Sequence, residues 1–160
     1  MSSAEEPLLE ADDWTFFDGF VGMHFELARE LDRRLQDDVG ISQPDYGVLL
    51  TLFRTPERRL RPGALGEMMG WEKSRVSHHL TRMASRGLIE RIECDTDGRG
   101  SLIVMTRLGR LAFLRATREH GRDIRTLFLD VLEPDERRAI ADASARVRAR
   151  IRELREAAAG

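Results

Sequence analysis

The sequence WEKSRVSHHLTRMASR, residues 71–86, predicts a helix with two contrasting faces. An apolar stripe at three- and four-residue spacing, typical of a buried helix face, consists of Val76, Leu80, Met83 and Ala84. The opposite side consists of Ser74, Ser77, His78, Thr81, Arg82 and Ser85, with Arg75 on its flank. This outer face has no carboxylate, whereas a merely solvated helix usually mixes acidic and basic residues in pairs. It therefore suits contact with the phosphates and base edges of nucleic acid, with a solvated helix as the alternative for this segment alone.

The neighbouring segments follow the order of a winged helix-turn-helix. Ser42 and Asp45 predict a capping box at the start of a helix that stops before Pro56. Gly70 and Gly87 lie where the two later helices are expected to end. The remaining predicted elements are a short extended piece over 60–62, a short helix over 63–70, and strands over 88–94 and 101–106. Because a charged, glycine-containing turn joins the two strands, they predict a two-stranded hairpin, which makes the fold mainly α with a small β-wing.

Long helices are predicted on both sides of this domain. Residues 13–37 have a broad apolar stripe, which needs cover from the rest of the fold or from a second subunit. A helix over 107–131 is predicted to bury Leu108, Leu111 and Leu114 among others, and a final helix over 133–156 has a heptad-like stripe. The expected organisation is a flexible acidic tail (1–12), an N-terminal dimerisation helix (13–40), the winged helix-turn-helix domain (41–106) and C-terminal dimerisation helices (107–160).

The net charge of −2 hides an uneven distribution. The first thirteen residues contain five acids and no basic residue, so the rest of the chain has a net charge of +3. Between Lys73 and Arg110, eight basic residues stand against four acids. Positive charge is thus concentrated at the predicted helix-turn-helix and hairpin, which is the distribution expected of a DNA-binding site.

Several protein classes are disfavoured by the composition. The apolar runs are far shorter than a bilayer span, and the acidic N-terminus lacks the pattern of a secretory signal, so we expect a cytoplasmic protein without membrane contact. Cys94 is the only cysteine, so a redox-sensor role is less favoured than a small apolar strand residue. No nucleophile–base pair, phosphate-binding loop or cysteine cluster indicates an enzyme, a cofactor or a metal centre.

These motifs together resemble the MarR family of bacterial transcriptional regulators, from about residue 14 to residue 154. The most specific piece is the wing, where the family pattern runs Asp-x-Arg, an apolar strand, then Leu-Thr-x-x-Gly. The corresponding residues here are Asp97-Gly98-Arg99, Ile103, Met105-Thr106 and Gly109. Methionine replaces the usual leucine, which conserves volume. Residues 74–83 and 86–89 are similar to the family's recognition helix and its exit into the strand. The resemblance implies a homodimer that binds a pseudo-palindromic operator and releases it on a signal, often a small aromatic acid or phenol.

The residues predicted to contact double-stranded DNA are Lys73, Ser74, Arg75, Ser77, His78, Thr81, Arg82, Asp97 and Arg99. Arginine can donate two parallel hydrogen bonds to a guanine edge, and Lys73 suits a phosphate. Arg99 suits the minor groove with Asp97 orienting it, the alternative being an ordinary exposed turn pair. His79, nearer the apolar stripe, is predicted to be a partly buried structural histidine. The residues that bind an effector stay open. The alternative functions are a winged-helix protein-interaction module and a redox or metal sensor with a secondary DNA role.

Overall fold

The computed structural model of the chain describes residues 8–93 and 101–159. The helices are α1 (Ala11–Val39), α2 (Gln43–Arg54), α3 (Pro62–Met69), α4 (Lys73–Ser85), α5 (Arg107–Ile124) and α6 (Pro134–Ala159). The strands are β1 (Arg59–Leu60), β2 (Ile89–Glu93) and β3 (Ser101–Met105). The predicted mainly α fold with a small β-wing is confirmed. Contacts divide the chain into two units, Met1–Gly121 and Arg122–Gly160.

The sheet of the first unit has three antiparallel strands in the order β1-β3-β2. Strands β2 and β3 form the predicted hairpin, with Ile89 opposite Met105. Strand β1 adds a third member, with Leu60 opposite Ile103. The sequence predicted only a short extended piece here, because two residues are too few to show the alternation that identifies a strand. Through β1 the sheet is tied to the segment that leads into α3.

The core of the first unit lies between α2, α3, α4 and the sheet, with side chains added from α1 and α5. Its largest fully buried side chains are Leu35, Ile41, Val48, Leu49, Leu52, Leu65, Leu80, Met83, Ile89 and Ile103. The predicted capping box at the start of α2 is confirmed: Ser42 Oγ accepts from the Asp45 amide, and Asp45 accepts from the Ser42 amide. Gly70 ends α3 in the left-handed region with φ of 64°, the conformation expected of a glycine after a helix.

Two predictions about the segment that contains α5 were wrong, one on which side chains are buried and one on the length of the helix. Leu108, Leu111 and Leu114 are half or more exposed, whereas Phe113 and Ala116 are the side chains that join the core. The three leucines follow at three-residue steps on the side of the helix away from Phe113, so the winged domain does not cover them. The predicted helix over 107–131 is also not a single α-helix, because residues 125–129 form a π-helical turn in which Asp130 N donates to Arg125 O at 2.8 Å.

Both terminal helices carry exposed apolar side chains. On α1 these are Trp14, Phe16, Phe17, Phe20, Met23 and Phe25. On α6, in the second unit, they are Val147, Ile151 and Leu154. Among the described residues no helix combines the length and the apolar character needed to cross a membrane.

Candidate nucleic-acid interface

The two faces of α4 lie where the helical wheel predicted them. Val76, Leu80 and Met83 are buried in the core, at most 4% exposed. The exposed side chains of α4 are Lys73, Ser74, Arg75, Ser77, His78, Thr81, Arg82 and Ser85. This exposed side, from here on the α4 donor face, holds all the predicted contacts that fall on the helix. Asp97 and Arg99, predicted as wing contacts, and Cys94 lie outside the described residues.

A tight turn between α3 and α4 sets the orientation of the α4 donor face. The Trp71 amide donates to Gly66 O at 2.9 Å, which folds the chain back immediately after α3. A Cβ on Gly66 would lie 3.0 Å from Val76 Cγ2, so the two helices touch closely at this point. The buried stripe of α4 packs into the core, and the donor face consequently turns outward.

Arg75 is held by an aromatic neighbour that the sequence analysis did not identify. Its guanidinium carbon lies 4.3 Å from the centre of the Trp71 ring, the geometry of a cation–π contact. Stacking uses the face of the guanidinium and leaves its edge N–H groups available as donors. Trp71 precedes the N-cap Glu72, so the helical i,i+4 rule does not indicate this pair, and the contact depends on the turn between α3 and α4.

Arg82 is linked to the buried interior of the first unit. Its Nη2 lies 3.1 Å from His79 Nδ1, and His79 Nε2 lies 3.0 Å from Asp45 Oδ1. His79 is 6% exposed and Asp45 is 2% exposed, so the predicted burial of His79 is confirmed and is more complete than expected. The angle at Nε2 falls short of a well-aligned hydrogen bond, and the contact with the carboxylate is mainly electrostatic.

Asp45 is the centre of a wider polar cluster. Its Oδ2 accepts from the Ser42 amide at 2.9 Å and from Arg86 Nη1 at 2.7 Å, and Arg86 also donates to Gly40 O. Burial alone would raise the pKa of Asp45. The close contact of the His79 ring and the hydrogen bonds from the Ser42 amide and from Arg86 outweigh that effect and hold the pKa well below its usual value. The Asp45 carboxylate therefore stays ionised. It links the start of α2 to His79 of α4 and to Arg86, the residue after α4.

Thr81 makes contacts within the fold that use part of its hydrogen-bonding capacity. Its hydroxyl donates to Ser77 O at 2.9 Å, and Arg91 Nη2 of β2 lies 3.5 Å from the same oxygen. The hydroxyl proton is therefore engaged, which leaves the oxygen as an acceptor and the methyl group as an apolar contact for a thymine methyl.

A groove of about 600 Å³ runs beside the start of α4. It lies between α3, α4 and β2, and its lining includes Pro62, Trp71, Val76, Ser77 and Arg91. Apolar walls with a few polar groups are the usual composition of small-molecule sites. Among the described residues, no group of three metal-ligating side chains is close enough to hold an ion.

Comparison with known proteins gives a consistent set of likenesses. Residues 39–100 match the model of the MarR family. The chain is similar to AbsC, a MarR family transcriptional regulator from Streptomyces coelicolor, with 26% identity and a TM-score of 0.82 over 92% of this chain and 99% of that chain. A search of curated proteins finds no match.

Two further solved structures carry bound molecules. Sco3205, a MarR family transcriptional regulator from Streptomyces coelicolor in complex with DNA, is 28% identical with a TM-score of 0.80 over 91% of each chain. The PcaV transcriptional regulator from the same organism, in complex with its natural ligand, is 26% identical with a TM-score of 0.67 over 88% of this chain and 98% of that chain.

Proposed function

Since this chain is a transcriptional regulator of the MarR family, we propose that it acts as a homodimer on a pseudo-palindromic DNA operator and is released by a small aromatic effector. Members of the family are transcriptional regulators and not enzymes, which confirms the expectation drawn from the sequence. The proposed place of action is the cytoplasm, where an operator is accessible.

The α4 donor face is the observation that carries this proposal. It offers cationic, imidazole and hydroxyl groups without a carboxylate, and the burial of the opposite stripe fixes its direction. An α-helix that presents such groups fits the major groove, where base edges carry distinct donor and acceptor patterns. The likeness to Sco3205, solved in complex with DNA, supports the same use of the fold.

We assign different tasks to the residues of the α4 donor face. Arg75, Ser77 and His78 are proposed to reach base edges. The edge N–H groups of the Arg75 guanidinium, which lies over Trp71, suit a guanine. Ser77 and His78 offer shorter polar groups beside it. Lys73, at the start of α4, is proposed to contact a phosphate. Arg99, with Asp97, is proposed for the minor groove on the strength of the family's wing pattern.

A homodimer supplies the partner that the terminal helices need. The exposed aromatic side chains of α1 and the exposed stripe of α6 are apolar surfaces that a second copy can cover. A two-fold dimer presents two copies of α4, and its operator mirrors that symmetry.

The groove beside α4 is the proposed effector site. Its apolar walls suit an aromatic ring, and Ser77 and Arg91 offer donors for a phenol oxygen. Glu67 and Glu72 also line the groove, so a neutral phenol fits it better than a carboxylate. Because Lys73 and Ser77 also belong to the α4 donor face, a ligand there would compete with DNA for these two side chains. PcaV, solved with its natural ligand, supports ligand binding by this fold.

Selection of DNA by the purified protein tests the proposed function. The wild-type chain is incubated with a random-sequence duplex pool, and bound molecules are recovered and sequenced. We expect a motif with two inverted half-sites separated by about one helical turn, bound by two chains as measured by sedimentation. An unenriched pool would contradict DNA recognition, and capture of a protein partner in its place would favour the interaction-module alternative.

A further inference from the structure

We propose that His79 is a positioning residue for Arg82: the buried imidazole holds the Arg82 guanidinium on the α4 donor face in the orientation that meets DNA. Asp45 in turn holds the imidazole. The inference rests on the DNA-binding function proposed above and deepens it. It assigns to a buried histidine a part in DNA affinity that its burial alone does not indicate.

The chemistry of the contact fixes the state of the imidazole. An arginine side chain has donors and no acceptor, so the His79 Nδ1 that faces Arg82 Nη2 at 3.1 Å must present a lone pair. A neutral ring then carries its proton on Nε2, which faces Asp45 Oδ1 at 3.0 Å. Nε2 of His79 thus faces the buried Asp45, and Nδ1 faces Arg82 on the α4 donor face.

The surroundings of His79 keep the ring in place. It makes a T-shaped contact with Trp71, with the ring centres 5.1 Å apart and the planes at 78°. The Asp45 carboxylate is itself fixed by Ser42 and Arg86. The ring cannot turn without breaking one of these contacts, so its Nδ1 lone pair points in one direction.

Arg82 would otherwise have a competing partner. The groove that contains Arg82 and His79 is also lined by Asp32 and Gln36 of α1. Asp32 already accepts from the Gln43 amide at 2.7 Å and from Gln36 Nε2 at 2.6 Å, but a carboxylate has further lone pairs to offer. Without the His79 acceptor, we expect the Arg82 guanidinium to be less ordered, with Asp32 as an alternative partner in the same groove. Ordering a long side chain before binding is expected to be worth about 2- to 10-fold in affinity.

Two substitutions at His79 test the roles of Nδ1 and Nε2 separately. In His79→Asn the amide oxygen replaces Nδ1, which keeps an acceptor for Arg82 and loses the donor to Asp45. In His79→Gln the amide nitrogen replaces Nε2, which keeps the donor to Asp45 and loses the acceptor. We therefore expect His79→Asn to bind DNA more tightly than His79→Gln. For folding stability we expect the reverse, with His79→Gln more stable than His79→Asn.

The experiment measures fluorescence anisotropy on the duplex recovered by selection, with thermal unfolding of each variant in parallel. We expect His79→Gln to weaken binding about 2- to 10-fold and His79→Asn to weaken it less. In an Arg82→Ala background, His79→Gln is expected to have no further effect. In addition, ¹⁵N shifts of the His79 ring should show the proton on Nε2. His120→Gln, the same change at another histidine of the first unit, should leave the affinity unchanged.

The outcomes distinguish this inference from the function on which it rests. Wild-type protein that recovers no DNA overturns both. Wild-type protein that binds its duplex, together with a His79→Gln effect that persists undiminished without Arg82, overturns the inference alone. An affinity that simply follows stability across the two His79 variants would likewise show that His79 acts only by supporting the fold.

Discussion

A Cβ atom on Gly109 would lie 1.9 Å from the carbonyl oxygen of Leu88, so the first turn of α5 rests directly on the backbone that follows α4. Thr106 completes the junction, because its hydroxyl donates to Gly87 O at 2.6 Å and accepts from the Gly109 amide at 2.9 Å. The Thr-x-x-Gly motif thus has a physical reason. It joins the end of α4, the returning strand of the wing and the start of α5 at a single contact.

Gly109→Ala should destabilise the protein by about 1–3 kcal/mol or more, since the added methyl meets backbone that has no side-chain freedom to move away. Urea unfolding at fixed protein concentration measures the change. Gly121→Ala is the matched control on the same helix, because a Cβ there has nothing within 4 Å. That variant should gain about 0.5–1 kcal/mol from helix propensity. Equal stability of the two variants would contradict the close packing at Gly109.

Asp45→Asn should cost about 3 kcal/mol at neutral pH, because it removes the buried charge that Arg86 and His79 contact. The low pKa of Asp45 also predicts the pH dependence. Its stabilisation is complete above the ordinary value of 3.8 and is lost as the pH falls from there toward the lower pKa of the folded protein. The difference in unfolding free energy between wild type and variant should therefore shrink in acid.

Asp37→Asn is the control for that comparison. Asp37 pairs with Arg33 at 2.6 Å on the surface of α1, with both side chains more than half exposed. Its replacement should change stability by less than about 1 kcal/mol. A pH-independent gap between wild type and Asp45→Asn would show that the carboxylate contributes through packing and not through its charge.

Arg75→Ala should weaken binding to the selected duplex by about 1–3 kcal/mol and relax the base preference at one position of each half-site. Stability should hardly change, because the lost stacking on Trp71 lies at the surface. Repeating the selection with the variant reads out the preference directly. Arg33→Ala removes one positive charge from α1 and controls for general electrostatics. Recovery of the wild-type motif by Arg75→Ala would remove Arg75 from base readout.

Ile151→Glu should disrupt dimerisation by placing a charge in the exposed apolar stripe of α6. Truncation before Pro134, which removes α6 entirely, should have the same effect. Sedimentation velocity over a range of concentrations measures both. Arg152→Glu, the neighbouring residue on α6, is the control for added negative charge. A dimer that persists in the truncated chain would place the subunit contact outside α6.

Local rules predicted the parts of the fold that depend on neighbouring residues. The Ser42–Asp45 capping box and the glycine after α3 follow from spacings of a few positions, and both are present. The buried stripe of α4 follows from helical period alone, and burial of His79 was predicted from its position beside that stripe.

Local spacing does not predict contacts between residues that are far apart in the sequence. The partner of His79 is Asp45, which lies on another helix, so no short spacing indicates the pair. Strand β1 is likewise defined only by its pairing with β3. For α5, periodicity identified an apolar stripe but not which element would cover it, and the leucines expected inside are exposed. Of the predicted DNA contacts, those on α4 are placed together on one face, and their role stays a prediction.

The most direct test of the account compares two dissociation constants of the wild-type protein at one salt concentration. One is measured for the selected duplex, the other for a shuffled duplex of equal length and base composition. If the α4 donor face reads base edges, the selected duplex should bind roughly 10³-fold or more tightly, with both affinities falling as salt rises. Equal constants for the two duplexes would contradict sequence recognition by this face.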